Sequence, residues 1–261
     1  MTGAMTLPFA ARAQSGSVVN YSGTVTLAAK DAAVPPDPMP SAPPSVGTIP
    51  MSFDDPMFTN MTETTSSYNL QTGQSASHKS IRGPASGDAA STGWGNNNWD
   101  YCRCDSREGF HVCGPGYFNI TNCWIQAFGQ GADHADGIQA YSPGSRGTIK
   151  VRNTSIRTSN TSATAGMFVA DNWTGTIDIQ DCMFWGGPYG LRLHPDVGGD
   201  NDVYLKNVYF VGPFAYGPIY FSDVWGHVNH IRKWENVRNA TIENGVLKPG
   251  SPIKPPKPVE P

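Results

Sequence analysis

The densest run of residues able to do chemistry is Asp133-His134-Ala135-Asp136-Gly137-Ile138-Gln139. A histidine between two carboxylates can act as a general acid or base, because it titrates near neutrality and a neighbouring carboxylate orients it. The paired aspartates are oxygen donors of the type that holds Ca2+, and no other cofactor is implied. Arg192 and His194, further along, could stabilise a developing anion. Asp133, His134, Asp136, Arg192 and His194 are therefore the candidate catalytic residues. The same run also reads as a turn entering a strand, with Asp136 capping backbone amides and His134 oriented by Asp133. No glycosidase-like carboxylate pair stands out, since Asp171, Asp178, Asp196 and Asp200 are scattered.

The elements that must position these residues repeat. Five short apolar segments begin at glycines 109, 137, 166, 190 and 217, spaced 28, 29, 24 and 27 residues apart. Between them recurs a second segment: Tyr117–Ile125, Thr148–Ile156, Thr176–Phe184 and Asp202–Phe210. Self-similarity at this period, with strand-like alternation inside each segment, is the signature of a β-solenoid. Stacked coils would align Phe118/Ile120, Ile149/Val151, Ile177/Ile179 and Val203/Leu205 as inward files. Asn122, Asn153, Asp181 and Asn207 would stand at the bend after each pair, where left-handed backbone is needed and amides can bond from coil to coil. An earlier rung is expected around Trp99–Cys104, with Cys104, Cys123 and Cys182 in one internal file. The fold class is all-β, a right-handed parallel β-helix with extended Pro-rich arms at both ends.

Alternation divides the glycine-led segments into two faces. Phe110/Val112, Ile138/Ala140, Met167/Val169 and Leu191/Leu193 should point in. His111, Gln139, Tyr141, Phe168, Arg192, His194, Ile219 and Phe221 should point out, flanked on adjoining loops by Trp173, Trp185, Tyr189 and Tyr216. This aromatic, cationic and amide-bearing face has three readings. It is a glycan groove, in which rings pack on sugars and polar groups bond hydroxyls or carboxylates. It is a protein interface. Or loops fold over it and its aromatics form a satellite core. The candidate ligand-binding residues are His111, Gln139, Tyr141, Phe168, Trp173, Trp185, Tyr189, Tyr216 and Phe221.

The organisation along the chain is a Pro-rich arm over 1–50, an irregular polar cap or first turns over 51–95, the β-helix over 96–245 and a second Pro-rich arm over 246–261. Within the first arm, Ser17–Leu27 alternates weakly like a strand pair. The start of the chain resembles a secretory leader only faintly. The 29 Gly and 22 Pro, with only 15% charged residues, suit a turn-rich β protein. A net charge of −3 and the lack of a Lys/Arg run exclude nucleic acid as an expected partner, and no apolar stretch is long enough to insert in a membrane. Cys102, Cys104, Cys113, Cys123 and Cys182 fit no disulfide framework, and the first four match no common zinc spacing, so they read as core packing. The Asn-x-Ser/Thr sequons at Asn20, Asn60, Asn119, Asn153, Asn160, Asn172 and Asn239 read as a by-product of Asn/Thr-rich turns.

His134–Gln139 followed by Gly147–Asn153, with Gly186–Gly190 and Tyr216–Ile219, resembles right-handed β-helix proteins of the pectate-lyase-like superfamily, among them minor tail proteins of actinobacterial phages. The resemblance covers about 100–245. It implies a structural phage-tail protein located in the virion, touching host-surface polysaccharide. The Pro-rich arms would then meet other tail proteins, and a homo-oligomer is compatible with it. The superfamily also contains secreted or virion-borne polysaccharide lyases and hydrolases, and a non-catalytic glycan-binding adhesin is a third reading. The polygalacturonase motifs Asn-Thr-Asp, Gly-His-Gly and Arg-Ile-Lys are absent from the chain, and its one Asp-Asp pair, Asp54-Asp55, lies outside the repeats.

Overall fold

The computed structural model describes residues 9–12, 18–21, 49–83, 89–131, 133–141, 145–158 and 162–260. Residues 1–43 and 44–261 form separate units. In the first, Phe9–Arg12 pairs antiparallel with Val18–Tyr21, so the strand pair starts earlier than Ser17. The rest of the Pro-rich stretch up to residue 48 lies outside the described residues, as do the sequon at Asn160 and the side chain of Tyr141.

The second unit is a parallel β-solenoid, almost without helix. Each coil has three faces. Face A carries, for example, Gly116–Thr121 and Arg146–Arg152, paired in register. Face B carries Trp124–Ala127 and Ser155–Thr158. Face C is a separate six-stranded parallel sheet: Ser91–Gly93, Phe110–Cys113, Ala135–Tyr141, Ala163–Val169, Tyr189–Leu193 and Gly217–Phe221. Faces A and B meet at a bend. In the later coils the strand runs on through that bend, as in Thr174–Trp185 and Asn201–Val211.

The bend is where sequence dictates coil geometry. His78, Tyr101, Asn122, Asn153, Asp181, Asn207 and Asn236 all hold φ between 46° and 54°. Asn and Asp enter this left-handed region at low cost, and their side chains bond along the axis. Asn122 donates to Asp100, Asn153 to Asn122, Asn207 to Asp181 and Asn236 to Asn207, at 2.7–3.2 Å. At the first two coils the ladder is replaced by a ring stack, His78 on Tyr101 with centroids 5.3 Å apart.

The expected inward files are present: Phe118, Ile120, Ile149, Val151, Ile177, Ile179, Val203 and Leu205 are all fully buried. So are Phe110, Val112, Ile138, Ala140, Met167, Val169, Leu191 and Leu193 on face C. Each of these side chains except Ala140 contributes roughly 1.5–3 kcal/mol of burial, and the filing repeats that contribution coil after coil. One of the files differs from expectation. The cysteine file is Cys102–Cys123–Thr154–Cys182, because Trp124 is in register with Arg103, whereas Cys104 belongs to the file Ile81–Cys104–Ile125–Ile156–Phe184. All five cysteines are buried and free.

The first coils of the solenoid lie within residues 62–93. Thr62–Thr64, Ser75–Ser77, Lys79–Arg82 and Ser91–Gly93 are strands of its sheets. Ahead of them, residues 49–61 lie as a strap over the outside of face B. Ile49 and Phe58 there join Trp124, Met183, Tyr209 and Val211 in a second apolar cluster. The C-terminal segment is not a free arm either. Val246–Pro252 pairs antiparallel with Asn229–Glu243, and the chain then returns so that Glu260 N–H donates to Ile231 O. The tail thus closes the last coil, whose outer edge would otherwise present unpaired backbone groups.

Candidate functional site

Face B is covered by the strap and the outer side of face A is polar, with Asn98, Asn119, Lys150 and Asp178 in one file. Face C presents a groove and a cluster of aromatic rings beside titratable side chains. Its strands enter through a glycine file: a Cβ on Gly109 would lie 1.9 Å from Gly137 O, on Gly137 2.5 Å from Gly166 O, and on Gly166 2.6 Å from Gly190 O. Glycine is required there because the carbonyl of the next coil occupies the side-chain position. Pro218, not Gly217, continues this file, since Ile219 pairs with Leu191. The fifth segment is therefore shifted by one residue from the sequence alignment. Ile219 and Phe221 point inward, and Tyr220 points out.

The outward file of face C is Thr92–His111–Gln139–Phe168–Arg192–Tyr220. It has two chemically different halves. At the first, a groove of about 460 Å³ is lined by Asn69, Thr92, Trp94, Glu108, His111 and Gln139, with His134 and Cys113 beside them. His111 Nε2 is 2.8 Å from Glu108 Oε1. Arg107 bridges Glu108 Oε2 at 3.1 Å and Asp133 Oδ2 at 2.9 Å. The hydrogen bond from Arg107 holds the Asp133 carboxyl below the usual carboxylate range. Gln139 Nε2 donates to Asp171 Oδ2 at 3.1 Å. Burial, then the charge of Asp196, raises Asp171.

At the second half, the Arg192 guanidinium lies 4.4 Å from the Phe168 ring centre and 5.9 Å from those of Tyr189 and Tyr220. Tyr189 stacks on Tyr220 at 5.3 Å and leans on Tyr216 at 5.4 Å. Tyr216 is 76% exposed and Tyr220 42%. A cation held on aromatic faces fixes the rings as a platform. His194 stands at the strand end, its Nδ1 2.8 Å from Ser222 Oγ and its ring edge-on to Trp225.

The structure brings His111, Gln139, Phe168, Arg192, Tyr189 and Tyr216 onto one face, with His134 exposed at the groove rim. Other expected members lie elsewhere. Trp173 is fully buried, its indole N–H donating to Gly114 O at 3.0 Å, because the loop carrying it turns into the core. Trp185 sits on face B under Arg157 and against Trp124. Phe221 packs on the core beside Trp234.

The five candidate catalytic residues do not share one solvent-facing space. Asp136 is sealed from solvent; its Oδ1 accepts from Ala165 N–H at 2.6 Å. Its Oδ2 has no partner among the described residues. Burial pushes this carboxyl far above the usual range, and the charge of Glu108 adds to the effect. Asp136 is enclosed, and among the described residues no three His, Cys, Asp or Glu side chains are grouped to hold a metal ion.

Glu108, Arg107, Trp94 and Tyr220 are site residues that sequence reasoning missed. A signal existed for Glu108, the residue immediately before the first glycine of the file. No protein-family model, curated protein or solved structure matches the chain in comparison.

Proposed function

We propose that the chain is a non-catalytic β-helical protein that holds a surface glycan along face C, mounted as a minor tail component of a phage virion. The observation that carries the glycan reading is the outward file of face C. A groove with amide, carboxylate and indole groups continues, in register, into a cation-fixed aromatic platform. Sugar rings present both apolar C–H faces and hydroxyls, and this file offers a partner for each. The virion assignment is supported by the resemblance of the repeats and by the Pro-rich stretch from Pro35 to Pro50, which is suited to engage other tail proteins. A secreted adhesin would use the same face.

A second reading has one observation in its favour. A histidine oriented by a carboxylate at 2.8 Å, as His111 is by Glu108, is the arrangement of a general base. Incubation of the purified chain with a panel of polysaccharides, followed by binding and product assays, separates the two. Retention of a polysaccharide without new reducing ends or ultraviolet-absorbing unsaturated ends supports the binding protein. Cleavage that disappears in His111→Ala would replace it with a lyase or hydrolase.

A further inference from the structure

We infer that face C selects a neutral polysaccharide and rejects a polyuronate, with the polymer running parallel to the solenoid axis. This rests on the glycan reading and specifies its ligand class. The argument is one of charge and spacing. The charged groups named at this face are two arginines, Arg107 and Arg192, and four acids, Glu108, Asp133, Asp171 and Asp196, with His111, His134 and His194 counted as neutral. With the acids ionised their sum is 2 − 4 = −2. One arginine is held by carboxylates and the other by aromatic rings. Arg107 is held between Glu108 and Asp133, and Arg192 lies flat on Phe168. A polymer with one carboxylate per ring would therefore bring a row of negative charges against a face that is already negative. Such juxtaposition disfavours the wrong partner more than it alters the right one.

What remains for recognition is neutral. Trp94, 42% exposed, stands at the groove end, and Tyr216 and Tyr220 stand at the other end of the same face. Between them the Gln139 amide offers a hydrogen-bonding group to hydroxyls, and Asn69 offers another just beyond the Trp94 end. The outward file crosses six strands, so five steps at about 4.8 Å place its ends about 24 Å apart along the axis. That length accommodates several pyranose rings in a chain lying along the file, with an aromatic platform at each end.

The test uses the full chain in affinity electrophoresis, at low ionic strength where charge effects are largest, against gels containing a soluble β-glucan, a galactomannan or polygalacturonate. The expected result is retardation by at least one neutral polymer and none by polygalacturonate. Trp94→Ala and Tyr220→Ala should each weaken retention about tenfold, the scale of one lost aromatic contact. Unchanged thermal midpoints would show that the fold is intact, and Tyr216→Ala, at the most exposed ring, provides a variant with little packing to lose. Stronger retardation by polygalacturonate than by either neutral polymer overturns this inference and leaves the glycan reading standing. Absence of retardation by all three, together with no binding to other polysaccharides, removes the glycan reading itself.

Discussion

The carbonyl oxygen of Gly137 occupies the space that a side chain on Gly109 would need: a Cβ there would be 1.9 Å from it. The contact is with backbone, so it cannot be relieved by a rotamer change, and the Ile125 side chain closes the position further. Gly109→Ala should cost about 3 kcal/mol, at the upper end for overpacking. That corresponds to a fall in thermal midpoint of about 10 °C. Gly190→Ala should cost less, because its nearest neighbours are a Phe210 ring edge at 2.7 Å and Pro218 O at 2.8 Å. Equal midpoints for the two variants would refute the steric account of the glycine file.

Asn207 combines a φ of 52° with two ladder bonds, donating to Asp181 and accepting from Asn236. Asn207→Gly removes the bonds but keeps the conformation accessible, and should lose about 2 kcal/mol. Asn207→Ala also forces a Cβ into the left-handed region, adding about 1 kcal/mol. Denaturant midpoints for the pair separate backbone from side-chain contributions. If the alanine variant is no worse than the glycine variant, the bend is not held by residue type.

The same residues show what was legible in the sequence. Alternation at Phe118/Ile120 and its repeats exposed the inward files because a half-buried strand must alternate. Asn122, Asn153, Asp181 and Asn207 exposed the bends because those residue types favour left-handed backbone. Tyr101 and His78 make the same bend without that signal, which hid the first coils. Thr62–Thr64 and Ser75–Ser77 hid them further, being strands too polar to show alternation. Tyr220 was obscured by Pro218 standing in the glycine register, one residue after a real glycine. Trp173 and Trp185 are near face C in sequence, yet side-chain direction at a corner depends on how the loop turns. The Arg107–Asp133 contact joins neighbouring coils, and a single coil's sequence does not reveal it, whereas Glu108 and His111 meet three residues apart within one coil.

Arg103 fastens the strap to face B. Its Nη1 donates to Phe53 O at 2.7 Å, its Nη2 to Glu63 at 3.0 Å and its Nε to Ser80 Oγ at 2.9 Å, while its plane lies over the Phe53 ring. Lysine cannot reproduce this fork. Arg103→Ala, and to a lesser degree Arg103→Lys, should accelerate limited proteolysis within residues 49–61 several-fold, with the solenoid itself resistant. Cleavage at the rate of the parent chain would show that the apolar contacts of Ile49 and Phe58 suffice to hold the strap.

The tail closing the last coil should loosen as pH rises. His230 places Nδ1 2.6 Å from Glu260 and Nε2 3.2 Å from Asp200, so only the protonated imidazole can donate to both. These bonds, Asp200 first, raise its pKa, while Arg232, paired with Asp202 and Glu260, opposes them; His227 also faces Asp200. Because the folded value is raised, the stabilisation is complete below the ordinary histidine value and is lost as pH climbs through the folded one. Asp200, held low chiefly by the Val228 amide, loses its contribution only at the acid end, outside that window. The amides of Ile253 and Glu260, which donate to Val237 O and Ile231 O, report the closure directly. Corrected for intrinsic rates, their hydrogen exchange should accelerate above the ordinary histidine pKa in the parent chain. In His230→Gln it should be faster already at mildly acidic pH and flat through the same range. Protection in the parent chain that does not change across that range would show that the tail is held by its backbone pairing and the Lys257–Asp223 contact alone.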